Sequence, residues 1–295
     1  MEFSGCYTAL ITPFTSDGAI DFDRLDANLQ GQADGRVTGV VPCGTTGETP
    51  TLSEDERRSV VERVVERGHA LGLQVIAGVG SNSTQKTIEA QTHARECGAD
   101  AGLVVSPYYN KPGQEGLYRH FMAVAEAVDL PIMLYNVPGR SGVTITPATV
   151  ARVAKHPHIQ AIKEATGSLD SASEILDRCD ITLLSGDDSL TLPFASVGGV
   201  GVVSVLSNLV PARVQNLCDA FNAGDWQTAR ELHFDLFNLA RGLLSLDTNP
   251  IPIKAALKTL GSDTGVLRLP LCEPSDEVSK AVRQLLDAAG LTATA

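Results

Sequence analysis

The chain predicts a (β/α)8 barrel with a C-terminal helical extension, and three observations carry that prediction. Eight short apolar runs recur up to residue 205, helical periodicity separates them, and beyond that point only helical periodicity remains. Strands alternating with amphipathic helices build parallel βαβ units. Eight such units close into a barrel rather than an open doubly wound sheet.

The predicted strands are Tyr7–Ile11, Gly39–Pro42, Val75–Val79, Ala101–Val105, Ile132–Tyr135, Ile159–Lys163, Ile181–Ser185 and Gly201–Val205. Between them, Ser53-Glu54-Asp55-Glu56 reads as a capping box that leads into Val60, Val61, Val64 and Val65. Thr146-Pro147 sets proline in the first turn of a helix carrying Val150 and Val153. Gly98 suits the end of the helix before the fourth strand. From Pro211 onward the periodicity is helical through Val214, Leu217 and Phe221, then Ala229 to Leu244, Ile253 to Leu260, and Val278 to Leu286. Asn249-Pro250-Ile251-Pro252 punctuates that run. The expected division is a barrel over residues 1–225 and a helical region packed on it over residues 226–295.

A length of 295 residues, 43% hydrophobic and 20% charged, describes a globular chain with a sizeable core. The formal charge of -12 argues against nucleic acid and anionic membranes as partners. It leaves small anionic substrates open, because a site is locally positive or negative whatever the total. Six cysteines lie far apart with no CxxC pair, and no signal-peptide pattern or membrane-length apolar run is visible. Reduced thiols and a cytoplasmic location are the expectation. Asn82-Ser83-Thr84 matches a glycosylation sequon that has no consequence in that compartment.

Ile159-Gln160-Ala161-Ile162-Lys163-Glu164 is the stretch with chemistry in it. A lysine at the end of a buried strand either snorkels to water, pairs with Glu164, or sits in a dry pocket. Desolvation favours the neutral amine, which attacks carbonyls to form Schiff bases. Barrel topology favours the pocket, since catalytic groups lie at the C-terminal ends of the strands. Tyr135 closes the fifth strand, Ser106-Pro107-Tyr108-Tyr109-Asn110 follows the fourth, and Gly44-Thr45-Thr46-Gly47-Glu48 follows the second. All open onto the face that holds Lys163. Glycines in the Gly44–Gly47 loop free its backbone to bend, and its amides and hydroxyls suit a carboxylate. Arg140, in Val137-Pro138-Gly139-Arg140-Ser141-Gly142, suits bidentate capture of a second carboxylate.

These motifs, together with Ser185-Gly186-Asp187-Asp188, occur in the order and spacing of the dihydrodipicolinate synthases, and the resemblance covers essentially the whole chain. The GTTGE-like loop, the tyrosine and the lysine are shared with N-acetylneuraminate lyase and related aldolases, while the Tyr-Tyr-Asn and Pro-Gly-Arg-Ser-Gly loops are more specific. The resemblance implies that Lys163 forms an imine with pyruvate, whose enamine attacks aspartate semialdehyde. It implies a proton relay of Tyr135, Thr45 and Tyr109, with Tyr109 reaching a neighbouring subunit's site. Thr46 and Val203 would bind pyruvate, and Arg140 the carboxylate of the aldehyde. No metal or organic cofactor is implied, and a homo-oligomer, a dimer of dimers, is.

Other chemistries find less support. His69, His93, His120, His156, His158 and His233 show no HxxxH or comparable spacing, so no metal centre is expected. Gly198-Gly199-Val200-Gly201 is neither a phosphate loop nor a dinucleotide fingerprint. The rival enzyme is a sialic-acid or sugar-acid lyase using the same lysine. A catalytically silent barrel is the rival outside enzymes. In lysine-inhibited members of the family an effector site lies at the dimer interface, and here its positions read Glu54, Arg57 and Lys86, with Asn82 and Tyr108 matching. Two cations there disfavour a cationic effector.

Overall fold

A computed structural model describes residues 2–292. The strands β1 (Gly5–Ala9), β2 (Gly39–Val41), β3 (Gln74–Gly78), β4 (Ala101–Val105), β5 (Ile132–Asn136), β6 (Ile159–Glu164), β7 (Thr182–Ser185) and β8 (Gly201–Ser204) form a closed parallel barrel in sequence order. The helices α1 (Phe22–Asp34), α2 (Glu54–Ala70), α3 (Thr84–Glu96), α4 (Gln114–Ala127), α5 (Pro138–Ser141), α6 (Pro147–Val153), α7 (Leu169–Arg178), α8 (Thr191–Ala195) and α9 (Pro211–Asn222) follow the strands. Three further helices, α10 (Trp226–Leu246), α11 (Ile251–Thr259) and α12 (Asp276–Ala288), come after the last barrel helix.

The period-2 pattern of each strand divides the apolar residues into two layers. Tyr7, Val41, Ile76, Met133, Ala161 and Leu184 fill the barrel interior. Val40, Val75, Val104, Leu134, Ile162 and Leu183 face outward against helix residues such as Val64, Phe121 and Ile175. Both faces of a parallel strand are thereby buried, which is why the runs read as continuous hydrophobics.

Local signals act as expected. Ser53 and Glu56 cap α2 reciprocally, Thr146 caps α6 with Pro147 behind it, and Gly98 turns out of α3 at φ +86°. The first strand differs from its predicted bounds. It begins at Gly5 and stops at Ala9, because the Ile11 amide donates to Asn208 Oδ1 at 3.1 Å instead of continuing the ladder.

Candidate active site

Strand register sets the centre of the site. Lys163 and Tyr135 are Cα partners on β6 and β5, and both side chains belong to the interior layer. Lys163 is 5% exposed, and its Nζ lies 4.3 Å from the centroid of the Tyr135 ring. Glu164 faces the other way, as the residue after an inward-pointing one must. It accepts from Asn136 Nδ2 at 2.9 Å and from the Thr166 amide at 2.8 Å. Neither snorkelling nor a pair with Glu164 describes Lys163.

Two adjoining cavities open at this end of the barrel. One, of about 450 Å3, is lined by Lys163, Tyr135, Thr45, Thr46, Arg140 and Asn249 among others. The second, of about 370 Å3, shares Thr45, Tyr135 and Arg140 and runs outward to Glu54, Arg57, Lys86 and Tyr108. Asp187 also lines the first; burial pushes its carboxyl up, and the charge of Lys163 pulls it back.

The loop after β2 is shaped differently from its glycine-based expectation. The left-handed positions are Cys43 (φ +55°) and Glu48 (φ +54°), not Gly44 or Gly47. Gly47 is needed for space instead, since a Cβ there would lie 3.2 Å from the carbonyl of Leu10. Glu48 is held in that conformation by a fully buried ion pair with Lys254 Nζ at 2.8 Å. Lys254 also donates to the Thr12 carbonyl at 3.0 Å, and Glu48 Oε2 accepts from the Arg268 amide at 3.1 Å. Arg268 in turn grips Glu56 with two guanidinium nitrogens and holds that carboxyl down to about 2. Cys43 is not a second nucleophile beside Thr45, since burial pushes its thiol up to about 12.

Lys163, Tyr135, Thr45, Thr46 and Arg140 therefore converge. Tyr109 and Val203 do not join them. Tyr109 is 89% exposed with φ +71° and lines neither cavity. The Val203 side chain is fully buried one layer down in the barrel interior, and Val205 lines the cavity. The two share a face because they are two residues apart, but β8 ends at Ser204, so only Val205 rises above the sheet.

Asn249 went unrecognised in the sequence. Its Nδ2 donates to Thr46 Oγ1 at 2.9 Å, and its carbonyl accepts from Arg140 Nη2 at 3.3 Å. Its only signal was the punctuation between α10 and α11, which marks a turn and gives no destination. The expectation of no metal spacing is also incomplete, because it weighed histidine pairs alone. His93 and Cys97 are four apart, and Glu62 joins them in space.

Comparisons with known proteins agree with this geometry. The model of the Dihydrodipicolinate synthetase family matches residues 2–289. The 4-hydroxy-tetrahydrodipicolinate synthase of Nitratidesulfovibrio vulgaris strain DP4 is 48% identical over 295 residues, covering 99% of this chain and 100% of the relative. The crystal structure of dihydrodipicolinate synthase from Aquifex aeolicus superposes with a TM-score of 0.96 at 42% identity, over 99% of this chain and 100% of that one. A dihydrodipicolinate synthase from Cyanidioschyzon merolae, crystallised with lysine bound, gives 0.94 at 40% identity over 98% of this chain and 99% of that one.

Proposed function

This chain belongs to the dihydrodipicolinate synthetase family, and from that membership we infer how its residues divide the work. The protein condenses pyruvate with aspartate semialdehyde to 4-hydroxy-tetrahydrodipicolinate, on the diaminopimelate route to lysine. The amine of Lys163 adds to the pyruvate ketone and water leaves, giving an imine. The imine draws electrons from the methyl carbon, which loses a proton and becomes an enamine. That carbon attacks the aldehyde, and the amino group of the second substrate then displaces Lys163 as the ring closes.

Protons move through hydroxyls in this reading. Tyr135 stands beside the amine and Thr45 shares both cavities with it. The third member is Tyr109 of a second copy. Its support is that an aromatic ring is held out from the chain on a left-handed backbone, a costly arrangement for a bulky residue. A dimer is the smallest complete unit, and a dimer of dimers follows the family. Thr46 takes the pyruvate carboxylate, and Arg140 that of the aldehyde. The barrel, residues 1–225, supplies the reacting groups, and residues 226–295 brace them through Asn249 and Lys254. Six unpaired cysteines support a cytoplasmic location, and among the described residues no helix is long and apolar enough to cross a membrane.

The observation that carries this reading is the buried Lys163 amine over Tyr135, in one cavity with Thr46 and Arg140. A coupled assay tests it by offering pyruvate with aspartate semialdehyde and, separately, with N-acetylmannosamine. Turnover with the first aldehyde alone is expected. Turnover only with the sugar would assign the chain to the lyases.

Asn249 acts through Thr46. By donating to Thr46 Oγ1 it leaves the hydroxyl proton free for a substrate carboxylate. Asn249→Ala is expected to raise the KM for pyruvate about tenfold, the worth of one hydrogen bond to a charged group, with little change in kcat. In a Thr46→Val background the same substitution is expected to add nothing. Additive losses in steady-state kinetics would contradict that coupling.

Lysine is expected to be a poor inhibitor. The outer cavity presents Arg57 and Lys86, and its one nearby carboxylate, Glu54, is already paired with Arg57 and Arg58. A ligand of net positive charge meets two cations against one carboxylate there, so 1 mM lysine (roughly a working effector level) should leave the rate within about twofold. Half-inhibition well below that concentration would show the reading of the cavity to be wrong.

A further inference from the structure

We propose that Glu62, His93 and Cys97 form a binding site for a Zn2+-class divalent cation on the outer wall of the barrel, apart from the catalytic cavity. Glu62 lies on α2, His93 on α3, and Cys97 caps α3 at its C-terminus. A four-residue spacing brings His93 and Cys97 to one helical face, and the packing of α2 beside α3 supplies the carboxylate.

Both partners converge on one nitrogen. His93 Nε2 is 3.0 Å from Glu62 Oε1 and 3.3 Å from Cys97 Sγ. A neutral imidazole carries one proton, so once Nε2 gives it to the carboxylate the thiol is left to Nδ1 at 3.9 Å, a long contact. Hydrogen bonding therefore serves the thiol poorly, whereas a cation satisfies all three ligands together. The separations fit. Zinc bonds of about 2.0–2.1 Å to nitrogen and oxygen and about 2.3 Å to sulfur put tetrahedral neighbours about 3.3–3.6 Å apart. The two contacts of His93 Nε2 need spread by only a few tenths of an ångström, and all three ligand atoms already lie within 4.8 Å of one another.

The donor set selects the metal. A thiolate with an imidazole favours zinc and its relatives over magnesium or calcium, which want oxygen alone. The His93 side chain is 6% exposed and hence fixed, while Glu62 is 59% exposed. Solvent thus reaches the fourth position with a water. On binding, the thiol loses its proton to solvent and a sulfur–metal bond replaces it. Burial and the charges of Glu62 and Glu96 push the Cys97 thiol up. Loading cross-links α2 to α3 and stabilises the fold through ligand linkage.

The test is titration of the chelator-treated, full-length protein with Co2+. One equivalent is expected to raise a thiolate-to-cobalt charge-transfer band, and Zn2+ to abolish it. Cys97→Ser should lose the band while keeping pyruvate trapping at Lys163, which reports that the barrel is folded. Glu62→Gln and His93→Gln should each weaken binding at least about tenfold, and Zn2+ should raise the Tm of the parent but not of Cys97→Ser. Absence of the band at one equivalent, or its persistence in Cys97→Ser through one of the other five cysteines, would overturn the assignment.

Discussion

Lys163→Ala is expected to lower kcat/KM for the condensation by at least about 10,000-fold, the scale on which a covalent nucleophile is lost. Without the ε-amino group there is no imine, hence no electron sink at C2 and no enamine. The remaining groups still bind both substrates, so the loss falls on the chemical step. Borohydride reduction in the presence of pyruvate separates the possibilities by mass: the parent chain gains a covalent adduct and the variant gains none. Removing so buried a side chain from the barrel mouth leaves space and takes a cation from Asp187, whose carboxyl burial already pushes toward its neutral form, so the variant should unfold close to the parent temperature. An adduct on Lys163→Ala would move the nucleophile elsewhere, and residual turnover near the parent rate would refute the mechanism.

The largest loss of stability is expected from Lys254→Met. Glu48 and Lys254 have no side-chain exposure at all. Stripping the cation leaves a carboxylate in a dry interior, which costs about 3–5 kcal/mol. At about 2–4 °C per kcal/mol for a large domain, that is a fall of roughly 10 °C in Tm. Because Glu48 also sits at φ +54° directly after Gly47, the loop carrying Thr45 and Thr46 should loosen, with a higher KM for pyruvate. Replacing both partners, Glu48→Leu with Lys254→Met, should recover part of the Tm, since neither charge is then stranded. A single substitution that leaves Tm unchanged would show that the pair contributes nothing to holding the loop.

The barrel was legible because its signals are local. Apolar runs, caps at Ser53 and Thr146, and a lysine ending a strand all follow from a few consecutive residues, and all eight strands overlap the runs that predicted them, the first displaced by two residues. Tyr135 and Lys163 were legible together because parallel strands in register bring their ends to one face. The bracing was not. Asn249 meets Thr46 across 203 residues and Lys254 meets Glu48 across 206, and no periodicity encodes a contact at that range. The Val203 side chain lies below the cavity that Val205 lines, because two residues on one strand face share a direction but not a depth. His93 and Cys97 carried a spacing signal, yet the carboxylate that completes the group comes from another helix.

The reactive amine is complete only when the helices beyond the barrel have docked, because the loop opposite Lys163 leans on Asn249 and Lys254. A polypeptide emerging from the ribosome would hold all eight strands outside the exit tunnel while these last residues were still inside it. Domains otherwise begin folding from their N-terminal side during synthesis. Here that order keeps a nucleophile capable of attacking any cellular 2-keto acid without its carboxylate clamp until the helices that follow the barrel have been made. Placing the brace after the barrel in the chain thus acts as a safeguard in time.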